Sequence, residues 1–312
     1  MAGTIRRDKR VKPLLPTYFD FKDGLEKDRG IEYGFDYLPV YQVASESPGE
    51  RHAADGVVRL YARWEAVSRG TKKNGALVGK IEYRHRLDTD VSPQELGLEI
   101  GYAGLTTVSF GDIGWTLPNL YWEQHLAEDR VSFVAGIVDV TDYVDTYALN
   151  DSLTQFFNQA FATNSTIPAP GQGLGASARG SIGRHLYLVA GIADGGGALW
   201  ERSLSAGPGY FPRGARDLLG VGLNRGRPSE DTFASGLEDQ YTLEVFYRWR
   251  PLRLLTISPD LQLLFDPGLN PDEDLVAVLG VRVRLALCRD RSLPRTGVHG
   301  GVHTPRTVEH SL

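Results

Sequence analysis

The sequence has very little cysteine and no long apolar run, and both shortages restrict the classes of protein that it can encode. The chain has 312 residues and 1 cysteine, so a disulfide within the chain and a thiolate metal cluster are excluded. Its longest apolar stretches, such as Leu275 to Val281, fall far short of the roughly 18 residues that a membrane-spanning helix requires. The chain is therefore expected either to be soluble or to cross a membrane with strands.

An excess of charge of one sign is also missing. Lys and Arg number 34, Asp and Glu number 39, and the formal net charge is -5, with the two signs interspersed. Because nucleic-acid binding requires a basic patch or stripe, we expect no nucleic-acid partner. The histidines form neither an HExxH motif nor a Cys/His zinc spacing, so we expect no metal site and no other cofactor.

Glycine, tyrosine and alternating side chains are what the chain does have. It contains 36 glycines and 14 tyrosines at a mean hydropathy of -0.25. Five segments alternate between an apolar and a polar face with a period of two, which predicts strands. These are 58–66, 77–84, 241–249, 255–263 and 279–287. Weaker candidate strands are 32–43, 95–110, 119–126, 131–138, 174–181, 185–193, 199–210 and 218–225, and we expect no substantial helix.

The alternation has two interpretations. In a soluble β-sandwich the apolar face would be the core, whereas in a transmembrane β-barrel it would face lipid and the charged face would line a water-filled lumen. Aromatic residues near the strand ends favour the barrel, because an interfacial girdle has this position: Tyr83, Tyr121, Trp122, Tyr241 and Trp249. We therefore expect six apolar side chains to face outward from the barrel: Leu60, Trp64, Ile81, Val245, Val281 and Leu285.

One long segment, 139–172, breaks the alternation. It contains a possible short helix at 151–161, capped by Asn150 or Asp151, and the apolar side chains Phe156, Phe157 and Phe161. A loop of this length is usually functional or disordered, and its aromatic content predicts packing against another surface. In a barrel that surface would be the inner wall, so we expect the segment to fold inward and narrow the pore.

Several motifs make the chain resemble the carbohydrate-selective porins of the OprB family. They are LYWEQHL at 120–126, AGIVDVTDYVDTYALNDS at 135–152, GRPS at 226–229, SPDLQLLFDPGLNP at 258–271 and LGVRVRLAL at 279–287. The resemblance implies an all-β, antiparallel, outer-membrane porin-type barrel of a Gram-negative bacterium, sixteen-stranded and monomeric in the family. It further implies passive diffusion of small sugars such as glucose, without catalysis, with sugars and outer-membrane lipid as partners.

Three departures from the family pattern predict that some strands are missing. The first residues are basic without the apolar core of a signal peptide, the segment 190–199 is compressed, and the chain continues past the expected last strand. We expect an N-terminal segment at 1–20, a barrel domain at 21–287 that is strained or open near 194–199, and a disordered polar tail at 288–312. A barrel fragment that does not close, without activity, and a soluble β-sandwich that binds carbohydrate remain the alternative functions.

The candidate site is the charged face of the strands together with the acidic part of the long segment. Pore-lining or sugar-contacting residues are expected to be Arg59, Arg63, Glu65, Lys80, Glu82, Arg84, Glu123, Asp139, Asp142, Asp145, Glu244, Arg248, Arg282 and Arg284. We expect Asp142, Asp145 and Asn150 to lie across the pore from basic residues such as Arg63, Arg84 and Arg282. The three aspartates could instead bind a metal or serve acid–base chemistry, and Trp64 and Trp122 could stack on sugars or contact lipid.

Overall fold

A computed structural model describes residues 15–139, 142, 149–167, 172–182, 186–192, 198–215, 217–233, 236–252 and 254–287. The strands are β1 (Ile31–Ala44), β2 (His52–Val67), β3 (Gly75–Arg86), β4 (Gly114–Leu126), β5 (Val131–Val138), β6 (Gly173–Ile182), β7 (Leu186–Ile192), β8 (Trp200–Ala206), β9 (Gly209–Tyr210), β10 (Pro212–Ala215), β11 (Leu218–Pro228), β12 (Gln240–Leu252), β13 (Leu255–Phe265) and β14 (Leu275–Ala286). The helices are α1 (Pro16–Arg29), α2 (Pro93–Glu99) and α3 (Gln159–Ala162), with a 3₁₀ turn at Ala127–Asp129.

The strands form one antiparallel sheet of 13 strands in the order β7-β6-β5-β4-β3-β2-β1-β14-β13-β12-β11-β8, with β9 paired to β11. The first strand pairs with the last, Tyr37 opposite Leu285, as the wall of a barrel requires. One continuous sheet that encloses a loop is a porin-type wall and not the two packed sheets of a β-sandwich. The predicted all-β barrel class is therefore confirmed.

The two edges of this sheet are β7 and β8. Within the described ranges the two edge strands are not paired with each other, and the sheet does not reach the sixteen strands of the family, in keeping with the prediction of missing strands. Most of the predicted open junction at 194–199, and the whole predicted tail from Cys288, lie outside the described residues.

The two faces of the wall differ as the alternation predicts. Leu60, Trp64 and Leu285 are 49%, 48% and 49% exposed on the outer face. Their neighbours in sequence, Arg59 and Arg284, are buried on the inner face. The prediction that Tyr121 belongs to the aromatic girdle is wrong. Tyr121 is 5% exposed and packs inside, against Val78 and Val134, because a β-bulge in β4 shifts the alternation by one residue.

The two ends of the wall carry connections of different length. Short turns join β2 to β3, β4 to β5 and β12 to β13 at one end, whereas the segments 87–113 and 139–172 both arise at the other end. Short turns at one rim and long loops at the other are typical of outer-membrane barrels. No helix in the described part of the chain is both long and apolar enough to cross a bilayer.

The segment 95–110 is not a strand, contrary to the sequence prediction. Helix α2 begins after Ser92, whose backbone N–H donates to the Glu95 carboxylate at 2.8 Å, and the chain then runs irregularly to Gly111. Tyr102 and Phe110 are fully buried in this stretch. Their apolar spacing resembles a half-buried strand, but the segment is surrounded by protein inside the barrel, so an alternating pattern does not apply to it.

Helix α1 is a second element that the sequence reading missed. Its 14 residues begin at Pro16, and Gly30 ends the helix in the left-handed conformation at φ 70°, where glycine carries no penalty. The Tyr18 hydroxyl donates to the Leu287 carbonyl at 2.9 Å, which fastens the helix to the end of β14. This helix spans the boundary that the sequence placed between residues 20 and 21.

The described stretch 149–167 of the long segment folds inward, as predicted. Phe156 packs edge-on against Phe246 of β12, and Phe157 joins Leu38 and Val40 of β1 in a buried cluster. The expected helix at 151–161 is shorter: only Gln159–Ala162 is helical, and its cap is Asn158, whose side chain accepts from the Ala160 N–H. Asp151 instead closes a turn, since its carboxylate accepts from the Leu153 N–H at 3.0 Å.

Placing an arginine on the outer face should distinguish the middle of the wall from its rim. Leu60→Arg should lower the free energy of unfolding in phospholipid vesicles by about 2–4 kcal/mol, because it puts a charge near the bilayer midplane. The control, Val67→Arg, changes an equally exposed residue at the end of β2 and should cost about 0–1 kcal/mol. Urea titration followed by tryptophan fluorescence measures both, and equal losses would contradict the placement of this face in lipid.

Candidate functional site

Glu244 of β12 holds the inward loop by its backbone. The two carboxyl oxygens of Glu244 accept from the N–H groups of Phe157 and Asn158, at 2.6 Å and 3.0 Å. The side chain is fully buried, so water does not compete for these hydrogen bonds. The sequence predicts that Glu244 lines the pore, but both oxygens of its carboxyl group are bound to the loop.

Arg282 of β14 holds the same loop from the opposite side. Its guanidinium donates to the carbonyl oxygens of Ser152 and Gln155, the latter at 2.8 Å, and lies 3.9 Å from the centroid of the Phe157 ring. Asn158 adds a hydrogen bond to Gln262 of β13 at 2.9 Å. Three adjacent strands thus fix the loop against one side of the wall.

Four arginines on the inner wall surround the turn of this loop. They form a set that we term the arginine half-ring: Arg59, Arg248, Arg282 and Arg284. Asp151, on the loop, attracts the charges of all four, yet it makes no ion pair with any of them in the described structure. A carboxylate on the loop therefore attracts a row of guanidinium groups on the wall, without an N···O distance of 4.0 Å or less to any of them.

Asp151 is held in its charged form, although burial alone would raise its pKa. The hydrogen bond from the Thr154 hydroxyl, at 2.6 Å, and the charge of Arg59 lower the pKa below the usual value of an aspartate. Asp151 lies on the loop, outside the strands of the wall. The sequence reading named it only as a helix cap and placed Asn150 at this position instead.

Two members of the half-ring, Arg59 and Arg284, are held in place by Asp36 of β1. Arg59 donates to Asp36 through two nitrogens, at 2.7 Å and 2.5 Å, and Arg284 donates to the same carboxylate at 2.8 Å. The sequence reading missed Asp36, although its position in β1 gives it inward parity. A charged residue between the apolar side chains Phe35 and Tyr37 is the signal that could have found it.

The other predicted wall residues form a separate network on β2, β3 and β4. Arg63 bonds Glu65 at 2.7 Å and Glu123 at 3.2 Å. Glu82 lies 3.5 Å from Lys80 and 2.6 Å from Arg84. Arg84 likewise meets a carboxylate of its own strand, so its nearest partner is on the wall and not on the loop.

The three spaced aspartates are only partly visible. Asp139 directly follows β5 and its carbonyl accepts from the Asp142 N–H at 3.3 Å, whereas Asp145 lies outside the described residues. Burial raises the pKa of Asp142 to about 7; Lys80 opposes this shift, and the nearby charges of Asp139, Asp151 and Glu82 add to it. Within the described ranges, no group of three or more His, Cys, Asp or Glu side chains is arranged to hold a metal ion.

A barrel wall with an inward loop and opposed charges defines the porin class, and comparison with known proteins agrees. The wall superimposes on OprB of Pseudomonas putida at high pH with a TM-score of 0.61 and 11% identity, covering 86% of this chain and 97% of that chain. This likeness shows the porin fold. Residues 167–287 match the family model described as carbohydrate-selective porin, OprB family, so the resemblance seen in the sequence is confirmed.

Two further solved structures are less similar. OprB of Pseudomonas putida at low pH gives a TM-score of 0.45 at 12% identity, over 88% of this chain and 97% of that chain. A mutant of Rh. blastica porin gives 0.44 at 10% identity, over 82% of this chain and 99% of that chain. Both scores are too low to support an inference. No curated protein sequence matches the chain.

The different pKa shifts of Asp142 and Asp151 predict a pH-dependent ion selectivity. Because the pKa of Asp142 is raised to about 7, this residue gains its negative charge as the pH rises from about 6 to about 8. In a planar bilayer with a KCl gradient, the reversal potential of the wild type should shift toward cation selectivity over this range. In Asp142→Asn the shift should be smaller.

Asp151→Asn is the matched control. It removes a carboxylate that is already charged throughout this range, so the channel should favour anions more at every pH and keep its pH-dependent shift. A constant reversal potential in the wild type, or an unchanged shift in Asp142→Asn, would contradict the assignment.

Proposed function

We propose that the chain is an outer-membrane channel for the passive diffusion of small carbohydrates such as glucose, one channel per chain, without catalysis. The observation that carries the proposal is the attraction between the Asp151 carboxylate on the inward loop and the arginine half-ring on a wall of porin fold, and we place the solute path in a gap between them. The match of residues 167–287 to carbohydrate-selective porins supports the choice of solute.

The opposed charges suit a neutral, hydroxylated solute. A sugar hydroxyl donates to the Asp151 carboxylate and accepts from a guanidinium, so a small sugar exchanges its hydration for hydrogen bonds on both sides of the gap. A small ion is attracted to the side of opposite charge and is held back there. The proposed solute path is short, because in the described structure only the turn of the loop that carries Asp151 faces the arginine half-ring.

A fragment that does not close is the second candidate, and the two unpaired edges β7 and β8 favour it. An open edge in lipid leaves backbone N–H and C=O groups without partners, and each such group costs several kcal/mol. A closed barrel refolded in detergent migrates differently on a gel before and after boiling. Equal migration of the two samples would identify the chain as a non-closing fragment.

Liposome swelling tests the proposed channel and the part of the loop in it. Wild-type vesicles should swell in glucose and scarcely in a trisaccharide, because the loop limits the size of the solute. Deletion of Thr141 to Thr166 removes Asp151 and the loop aromatics and should admit the trisaccharide with a several-fold gain in rate. The control is Arg225→Ala, which changes an exposed arginine paired with Asp239 and outside the half-ring, and which should leave both rates nearly unchanged.

No swelling in glucose by a heat-modifiable wild type would contradict the proposed function. A deletion that folds and leaves the size limit unchanged would show that the loop is not the constriction.

A further inference from the structure

Arg248 differs from the other members of the arginine half-ring in having no direct partner. Arg59 and Arg284 are bound to Asp36, and Arg282 is bound to two loop carbonyls. Among the residues that the structure describes, the guanidinium of Arg248 makes no hydrogen bond and no ion pair, and the side chain is only partly buried. It is therefore the guanidinium of the half-ring that remains open to a ligand.

The surroundings of Arg248 favour an added negative charge. Arg250 and Arg284 repel its charge, while Asp151 and Asp217 attract it from a distance. The acids nearby are already occupied: Asp217 accepts from the Tyr247 hydroxyl at 3.0 Å and from the Arg250 N–H at 3.1 Å. A like-charged group of arginines with one unpaired member binds an anion well, because a charge-assisted hydrogen bond replaces repulsion.

We propose that Arg248 is the anchor of an anion subsite that takes the carboxylate of a small hydroxylated acid, such as the acid form of a sugar. A guanidinium presents parallel N–H donors that match the two oxygens of a carboxylate, which a neutral sugar cannot offer. The hydroxyls of the same molecule reach the Asp151 side of the gap. This inference rests on the proposed function and narrows its substrate class.

The test compares D-gluconate with D-glucose and acetate as blockers of the KCl current through single channels in a planar bilayer. Gluconate should halve the current at a concentration about tenfold lower than glucose does, since a charge-assisted bond contributes about that factor. Acetate, which has the carboxylate without the hydroxyls, should block less than gluconate. The KCl current itself confirms that each variant has folded and inserted.

Two substitutions assign the effect to the side chain. Arg248→Gln should raise the half-blocking concentration of gluconate about tenfold and change that of glucose less than about twofold. Arg248→Lys keeps the charge but loses the paired donors, so it should fall between the wild type and Arg248→Gln. The matched control is Arg225→Gln, an exposed arginine outside the half-ring whose partner is Asp239 and which should leave both blockers unaffected.

The outcomes separate this inference from the function on which it rests. If glucose enters and blocks the channel but gluconate blocks no better, or if Arg248→Gln leaves the gluconate block unchanged, the anion subsite is wrong and the sugar channel stands. If neither glucose nor gluconate changes the current of a conducting wild-type channel, both the subsite and the sugar channel are wrong.

Discussion

The hydrogen bonds from the backbone of Phe157 and Asn158 to the carboxyl group of Glu244 decide the shape of the interior. They lie where water is excluded, so a lost partner would leave buried N–H groups unsatisfied, at about 1–3 kcal/mol for each. Arg282 binds the same turn through carbonyl oxygens from the other side. Backbone N–H groups of the loop thus donate to Glu244 on the wall, and backbone carbonyl groups of the loop accept from Arg282.

Apolar packing and electrostatics then depend on this anchorage. With the turn fixed, Phe156 and Phe157 pack against the inner face of the wall, and Asp151 is held facing the arginine half-ring. The second inward segment joins the first, since the Val108 N–H donates to the Phe157 carbonyl at 3.2 Å. The gap that we propose as the solute path is therefore set by contacts made on the other side of the loop.

The sequence predicts the wall well, because a barrel strand lies between two different media and each side chain reports which one it meets. Leu60 and Arg59 carry that information in two adjacent residues. It fails for 95–110, where consecutive residues such as Thr106 and Thr107 are both fully buried, so burial does not alternate. Ser92 and Glu95 nevertheless form a capping box, from which a helix start could have been predicted. The position of Asp151 could not be predicted from the sequence, because it depends on a contact between Phe157 and Glu244, two residues that are far apart in the chain.

Hydrogen–deuterium exchange at the Phe157 and Asn158 amides tests the anchorage most directly. In the refolded wild type both amides should exchange slowly. Glu244→Leu replaces both acceptor oxygens with an apolar side chain of similar size, and it should speed the exchange of both amides by about tenfold or more. Glu123→Leu, a change to an inner-wall acid that bonds Arg63 and not the loop, should leave these amides protected. Equal exchange in the wild type and Glu244→Leu would contradict the claim that this carboxyl group holds the loop inside the barrel.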